Sequence, residues 1–205
     1  MSAILCALLL WGMKPAAAPS PNVRIDLVFD GTPMPRRLKT SALAEATSIW
    51  AAYGVDLRES RPNEAVRDGA IRLSVAVVDS VVRQKSIDML GSIEFRGTVP
   101  EPSIALYPAA IEELVSNAAR LGGTDAEFAA SFHDVTLGRA MGRALAHEIG
   151  HYLLRSRDHS GKGLMRAIWL GPVVVGWSRR PFALSADEVK RLSTLLPSSP
   201  FAADQ

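Results

Sequence analysis

Residues His147–His151 read HEIGH. On a helix each residue advances by about 100°. His147 and His151 therefore share one face, one turn apart. Two imidazoles on one face can hold one tetrahedral zinc ion from one side. Glu148 is rotated about 60° from His151 by the same geometry. Its carboxylate reaches a water at the metal rather than the metal itself. There it can take a proton and later pass it to a leaving amine.

The surroundings of HEIGH favour a buried helix. Leu145, Ala146, Ile149, Tyr152 and Leu153 flank the motif, and polar groups among them need partners, which a metal supplies. Gly138, Gly142, Ala146 and Gly150 recur every fourth residue. A helix glycine costs about 1 kcal/mol relative to alanine, so the stripe predicts close packing against the sheet or another helix. His133 stands fourteen positions before His147, about 21 Å along a helix, too far to share a metal. It is expected at the surface or capping region of the helix start.

The whole segment HEIGHYLLRSRDHSGKGLM, residues 147–165, resembles the metzincin zinc metallopeptidases, particularly the matrixin-like branch. In that family a glycine breaks the helix after the second histidine. A third histidine follows six residues after the second, and a turn carrying methionine lies beneath the metal. The resemblance implies His147, His151 and His159 as ligands of one Zn2+ ion, Glu148 as general base and Met165 as the turn methionine. Two departures stand out. His159 follows His151 by eight residues, and Leu154 occupies the glycine position. A wider exit loop through Arg155–Asp158, with no left-handed glycine, accommodates both. Asp158 is the rival third ligand, since carboxylates also bind zinc, or it orients a ligand histidine. Glu188 is a third candidate, by analogy with thermolysin-like enzymes, but a capping box with Ser185 already accounts for it. No tyrosine closely follows Met165 to serve as an astacin-type ligand.

Along the chain, alternation in Asn22–Asp30 predicts a strand. Arg37–Tyr53 carries a helical apolar face and ends at Gly54. Val55–Arg58, Ala70–Asp79, Gly91–Phe95 and Ser103–Tyr107 read as further strands. GTVPEP between the last two reads as a loop whose prolines suit a sheet edge. Helices are expected over Ala109–Leu121 and Ser131–Leu154, with Thr124–Ala130 a linker or short turn. Gly171–Trp177 reads as a strand or a loop walling the pocket together with Trp169. Leu184–Glu188 opens the last helix. The expected class is α+β: a zincin/metzincin-like mixed twisted sheet with an active-site helix, a Met-turn and a C-terminal helix. In the family plan an edge strand binds an extended substrate by main-chain pairing, here Ile93–Phe95 or Ile104–Tyr107.

The 205 residues suit one domain, 19–205, behind a leader. Ala3–Met13 is apolar, too short to span a bilayer, which takes about 20 residues. Ala16-Ala17-Ala18 follows as a cleavage signal, so residues 1–18 read as a signal peptide. Cys6, the one cysteine, falls in that leader, leaving no disulfide and no thiolate ligand. A secreted or periplasmic protein without a stable membrane anchor is expected. Formal charge is +2 and the basic residues are scattered, which argues against nucleic-acid binding. Pro19–Pro35 is a segment that can cover the cleft. The function expected is zinc-dependent endopeptidase activity on peptide or protein substrates, through a zinc-activated water. The alternative is a non-catalytic zinc-stabilised binding module. The two part at Glu148.

Overall fold

The computed structural model describes residues 23–78, 89–121 and 126–196, the side chains of 121 and 126–132 excepted. Residues 1–18, expected as a signal peptide, and the C-terminal tail lie outside the described residues. β1 (Val23–Gly31) forms from the predicted alternation and pairs in parallel with β2 (Val55–Glu59) on one side and β3 (Ala70–Val77) on the other. Residues 23–31 are thus built into the sheet, so most of Pro19–Pro35 is not a cover for the cleft. β3 pairs in parallel with β5 (Val99–Leu106), and β5 pairs antiparallel with β4 (Gly91–Arg96). The order is β2-β1-β3-β5-β4, a mixed sheet as expected.

This topology decides between the two candidate edges. Among the described residues β4 is an open edge, whereas residues 103–106 of β5 are paired on both sides. GTVPEP is not a loop. The chain turns at Gly97, with φ 64°, and runs straight into β5. Pairing of β5 with β3 begins only at Ser103, so Pro100 and Pro102 fall where no donor toward β3 is required.

α1 (Arg36–Ala51) and α3 (Ala126–Leu154) pack against each other beside the sheet. α3 starts earlier than its pattern suggests and absorbs most of the expected linker. His133 therefore lies inside the helix, half-exposed near Glu112 and Asp134, and caps nothing. From Leu137 to His151 every residue of α3 is buried. The small-residue stripe faces α1. A Cβ on Gly142 would stand 2.4 Å from the Ala42 carbonyl oxygen, and one on Gly138 would stand 2.5 Å from Ser41 Cβ. Trp50 Nε1 of α1 donates to the Ala146 carbonyl at 3.0 Å, fixing the register of the pair.

α2 (Pro108–Leu121) precedes α3, with proline at its first position, where a missing N–H costs nothing. Gly171–Val175, expected as strand or loop, is a short helix, α4. It packs against α2 and α3, and its last-turn carbonyls find side-chain partners. Arg143 Nη1 donates to the Val173 and Val174 carbonyls at 3.0 and 2.7 Å, and Arg139 Nη1 to Val175 at 2.7 Å. Those are the acceptors a helix end leaves open. Arg143 is itself fully buried and held by Glu45 of α1 at 2.9 Å. Glu45 also accepts from Arg179. α5 (Ala186–Leu195) opens with the predicted capping box of Ser185 and Glu188. No helix among the described residues is long and apolar enough to cross a membrane.

Replacing Gly142 by alanine must push α1 and α3 apart or displace Glu45. We expect destabilisation of about 1–3 kcal/mol, measurable by denaturant unfolding; an unchanged midpoint would show that the helices are not in close contact.

Candidate metal centre

His147 and His151 project from the same face of α3 as predicted, and both rings are buried. Their Nε2 atoms lie 3.0 Å apart. His159 comes in from the loop after the helix, its Nε2 3.3 Å from that of His147. The three ligand atoms all lie within 4.8 Å of one another. Among the described residues this is the histidine and acid cluster with metal-binding geometry.

Backbone carbonyls fix the two helix rings. His147 Nδ1 lies 2.7 Å from the Leu164 carbonyl, and His151 Nδ1 lies 2.7 Å from that of Ser156. A carbonyl only accepts, so each Nδ1 carries the hydrogen and each Nε2 presents a lone pair. Two lone pairs then face each other at 3.0 Å, an arrangement that a cation resolves. The spacing fits as well: two nitrogens bound to one tetrahedral zinc at 2.0–2.1 Å lie roughly 3.3 Å apart.

The turn beneath them supplies one of those carbonyls. Gly163 has φ 79°, and a Cβ there would stand 2.4 Å from the Ala183 carbonyl oxygen, so the turn needs glycine. Leu164 N–H donates to Ala183 at 3.0 Å while its carbonyl holds His147. Met165 is buried, and its Sδ fills the space a side chain at Gly150 would occupy.

The exit from α3 differs from expectation. A left-handed residue is retained after all: Arg155 has φ 47°, one position beyond the family's glycine. Arg155 N–H donates to Tyr152 and Ser156 N–H to His151, both at 3.3 Å. That is a Schellman end with arginine where glycine is usual, at a cost of about 1–2 kcal/mol. It turns the Ser156 carbonyl toward the His151 ring. Asp158 is exposed and accepts from Ser156 Oγ at 2.8 Å; its carboxylate is not in the converging set. The Glu188 carboxylate accepts from Ser185 N–H in the α5 cap at 2.7 Å.

Glu148 is buried beside the histidines, against Gly91 of the edge strand. A Cβ at Gly91 would stand 3.0 Å from Glu148 Cγ and 3.1 Å from its Oε1. Both residues line a cavity of about 520 Å³ that also holds His147, His151 and His159. β4 forms one rim, α2 one wall, and Arg166–Trp169 another. Trp169 packs edge-on against His147 at 5.4 Å and against Phe182 at 5.1 Å. Beyond Trp169 the expected wall stops. α4 turns into the core at Val174, Leu170 is exposed, and Trp177 lies under the Arg139 guanidinium at 3.8 Å.

The sequence matches no protein-family model and no curated protein. Among solved structures it resembles the crystal structure of archaemetzincin from Methanopyrus kandleri. The TM-score is 0.51 at 13% identity, covering 89% of this chain and 99% of that one. The fold is zincin/metzincin-like. Resemblance to that structure extends over nearly the whole chain, well beyond the nineteen-residue segment that suggested it. Gly91, the two orienting carbonyls and the Arg139–Arg143 pair were missed from sequence. Only the arginines left a signal, two charges one turn apart in an otherwise buried helix.

Protonation follows burial. Burial pushes His147 down to about 3 and holds His151 and His159 below the usual range, so all three are neutral donors at pH 7. Burial raises Glu148 to about 8. In the metal-free protein the folded chain therefore binds more protons at Glu148 than the unfolded chain between its ordinary value and about 8, and stability falls as pH rises there. The histidines act oppositely, losing stability as pH drops below 6.5. Well above 6.5, where the unfolded histidines have lost their protons, and up to about 8, the Glu148 effect dominates. The melting temperature of chelated protein should fall across that window, and Glu148→Gln should flatten the fall. An equal slope in both proteins would contradict the assignment.

Proposed function

We propose that this chain is a zinc-dependent peptidase. His147, His151 and His159 hold one zinc ion, and Glu148 is the general base. The observation that carries this reading is the confrontation of the His147 and His151 lone pairs at 3.0 Å, with His159 Nε2 3.3 Å from His147, beside an acid that shares their cleft. A bound zinc supplies Lewis acidity, lowering the pKa of water and polarising a carbonyl oxygen.

The chain's own residues do the rest. The Leu164 and Ser156 carbonyls lock the two helix imidazoles in the tautomer that presents Nε2. With a cation held by the histidines, Glu148 is favoured in its ionised form, and its carboxylate accepts the proton of the attacking water and delivers it to the departing amine. Its burial keeps bulk water from competing for that proton. β4, the open edge, supports a peptide laid along it in extended form. Trp169 steadies the His147 ring and walls the adjoining pocket. The GLM turn and a third histidine on a short loop are the points shared with matrixin-like enzymes. The apolar run Ala3–Met13 with Ala16-Ala17-Ala18 supports export to the periplasm or the exterior.

Glu148→Gln preserves shape and removes the base. Hydrolysis of a mixed peptide library should fall about 10²–10⁴-fold, with zinc retained. An undiminished rate in the variant would remove Glu148 from the mechanism. A wild-type protein that holds zinc yet cleaves no peptide would instead be a non-catalytic binding module.

A further inference from the structure

The cleft contains hydrogen-bond donors that nothing among the described residues engages. Arg166 lines it, and its Nε is closed off from solvent without a partner. Trp169 Nε1, in the same wall, is also unpartnered. Buried donors are normally paired. Arg58 and Arg72 elsewhere also have an idle Nε, but both guanidinium groups are bound through other nitrogens. The Arg166 guanidinium has no hydrogen bond or ion pair at any nitrogen among the described residues.

Arg157 lines the same cleft. Its Nη2 donates to the Phe95 carbonyl at 3.2 Å, and its guanidinium lies 4.7 Å from the centre of the Phe95 ring. No carboxylate among the described residues forms an ion pair with it. Its neighbour Asp158 accepts from Ser156 and is not part of the cleft lining. The two arginines belong to adjacent segments: Ser160 bridges to Arg166, and its N–H donates to the Met165 carbonyl at 2.7 Å. Of the acids lining the cleft, Glu148 sits at the histidines and Glu113 on the α2 wall.

The edge strand runs toward this cationic end. Its register shifts between Ile93 and Phe95, and the Phe95 carbonyl is already occupied by Arg157. The free edge is thus the short stretch Gly91–Ile93, and a peptide laid along it ends against Arg157.

We propose that Arg157 and Arg166 form a carboxylate-recognition subsite at the loop end of the cleft. The preferred ligand is a peptide that places a carboxylate there, either its C-terminus or an acidic side chain. The subsite rests on the reading of the cleft as a peptide site. Arginine suits it, because the planar fork takes both carboxylate oxygens at once, and neither Nη of Arg166 has a hydrogen bond or ion pair among the described residues.

Binding to zinc-loaded Glu148→Gln protein tests this without hydrolysis. Three matched fluorescent peptides are compared by anisotropy: one with a free C-terminus, one amidated and neutral, and one amidated with an internal Asp or Glu. At least one carboxylate peptide should bind about tenfold or more tighter than the neutral one, as expected for a charge-assisted bond. Which of the two does so identifies the carboxylate that is read. Arg157→Gln with Arg166→Gln should abolish the preference, Arg157→Gln alone should weaken it, and Arg166→Lys should keep part of it. Equal affinity for all three peptides overturns the proposal. So does a preference that survives in the double variant, which would assign carboxylate binding to the metal. Failure of the peptidase reading looks different: the wild type would bind these peptides and leave them intact.

Discussion

Two imidazole lone pairs held 3.0 Å apart repel each other unless a cation lies between them or a proton sits on one. Burial argues against the proton, since it pushes His147 down to about 3. Much of the surrounding structure serves to hold this arrangement. The Leu164 carbonyl comes from the turn beneath the site and the Ser156 carbonyl from the loop beyond it. Each aims a ring by accepting from its far nitrogen. Outer partners of this kind decide which nitrogen faces the metal.

The platform is α3, held in two ways. Glycines let α1 approach until backbone meets backbone, with Trp50 pinned to the Ala146 carbonyl. One turn before His147, Arg143 is buried with Glu45 and spends its remaining donors on the end of α4. Losing Glu45 would strand the buried Arg143 charge, a loss that typically costs about 3–5 kcal/mol. Arg143 also lies 4.3 Å from the Phe182 ring, which packs on Trp169, which packs on His147. The ion pair and the histidine site are thus linked through one stack of rings.

Much of this was legible in the sequence because it depends on periodicity. HEIGH placed two rings and a carboxylate on one helix face, and the glycine stripe announced a close neighbour. The capping box at Ser185 explained Glu188 without a metal. What was not legible depends on tertiary partners. Arg155 adopts the left-handed turn despite its Cβ because the bonds to Tyr152 and His151 carbonyls hold it there. GPVVVGW becomes helix because two arginines from another helix complete its end. VPEP becomes strand because it pairs with β4 on one side, while pairing with β3 on the other begins only at Ser103. The choice of β4 as the edge needed the strand order, which no local pattern carries.

The third ligand is the point on which the account stands. His159 converges on the pair and Asp158 turns to Ser156, so removal of the two side chains should have opposite consequences. The direct measurement is zinc per chain in purified wild type, His159→Ala and Asp158→Ala. The account predicts about one zinc in the wild type and in Asp158→Ala, as for a single three-ligand site, and loss of zinc in His159→Ala. Zinc retained without His159 but lost without Asp158 would contradict it, as would a wild-type protein that carries no zinc.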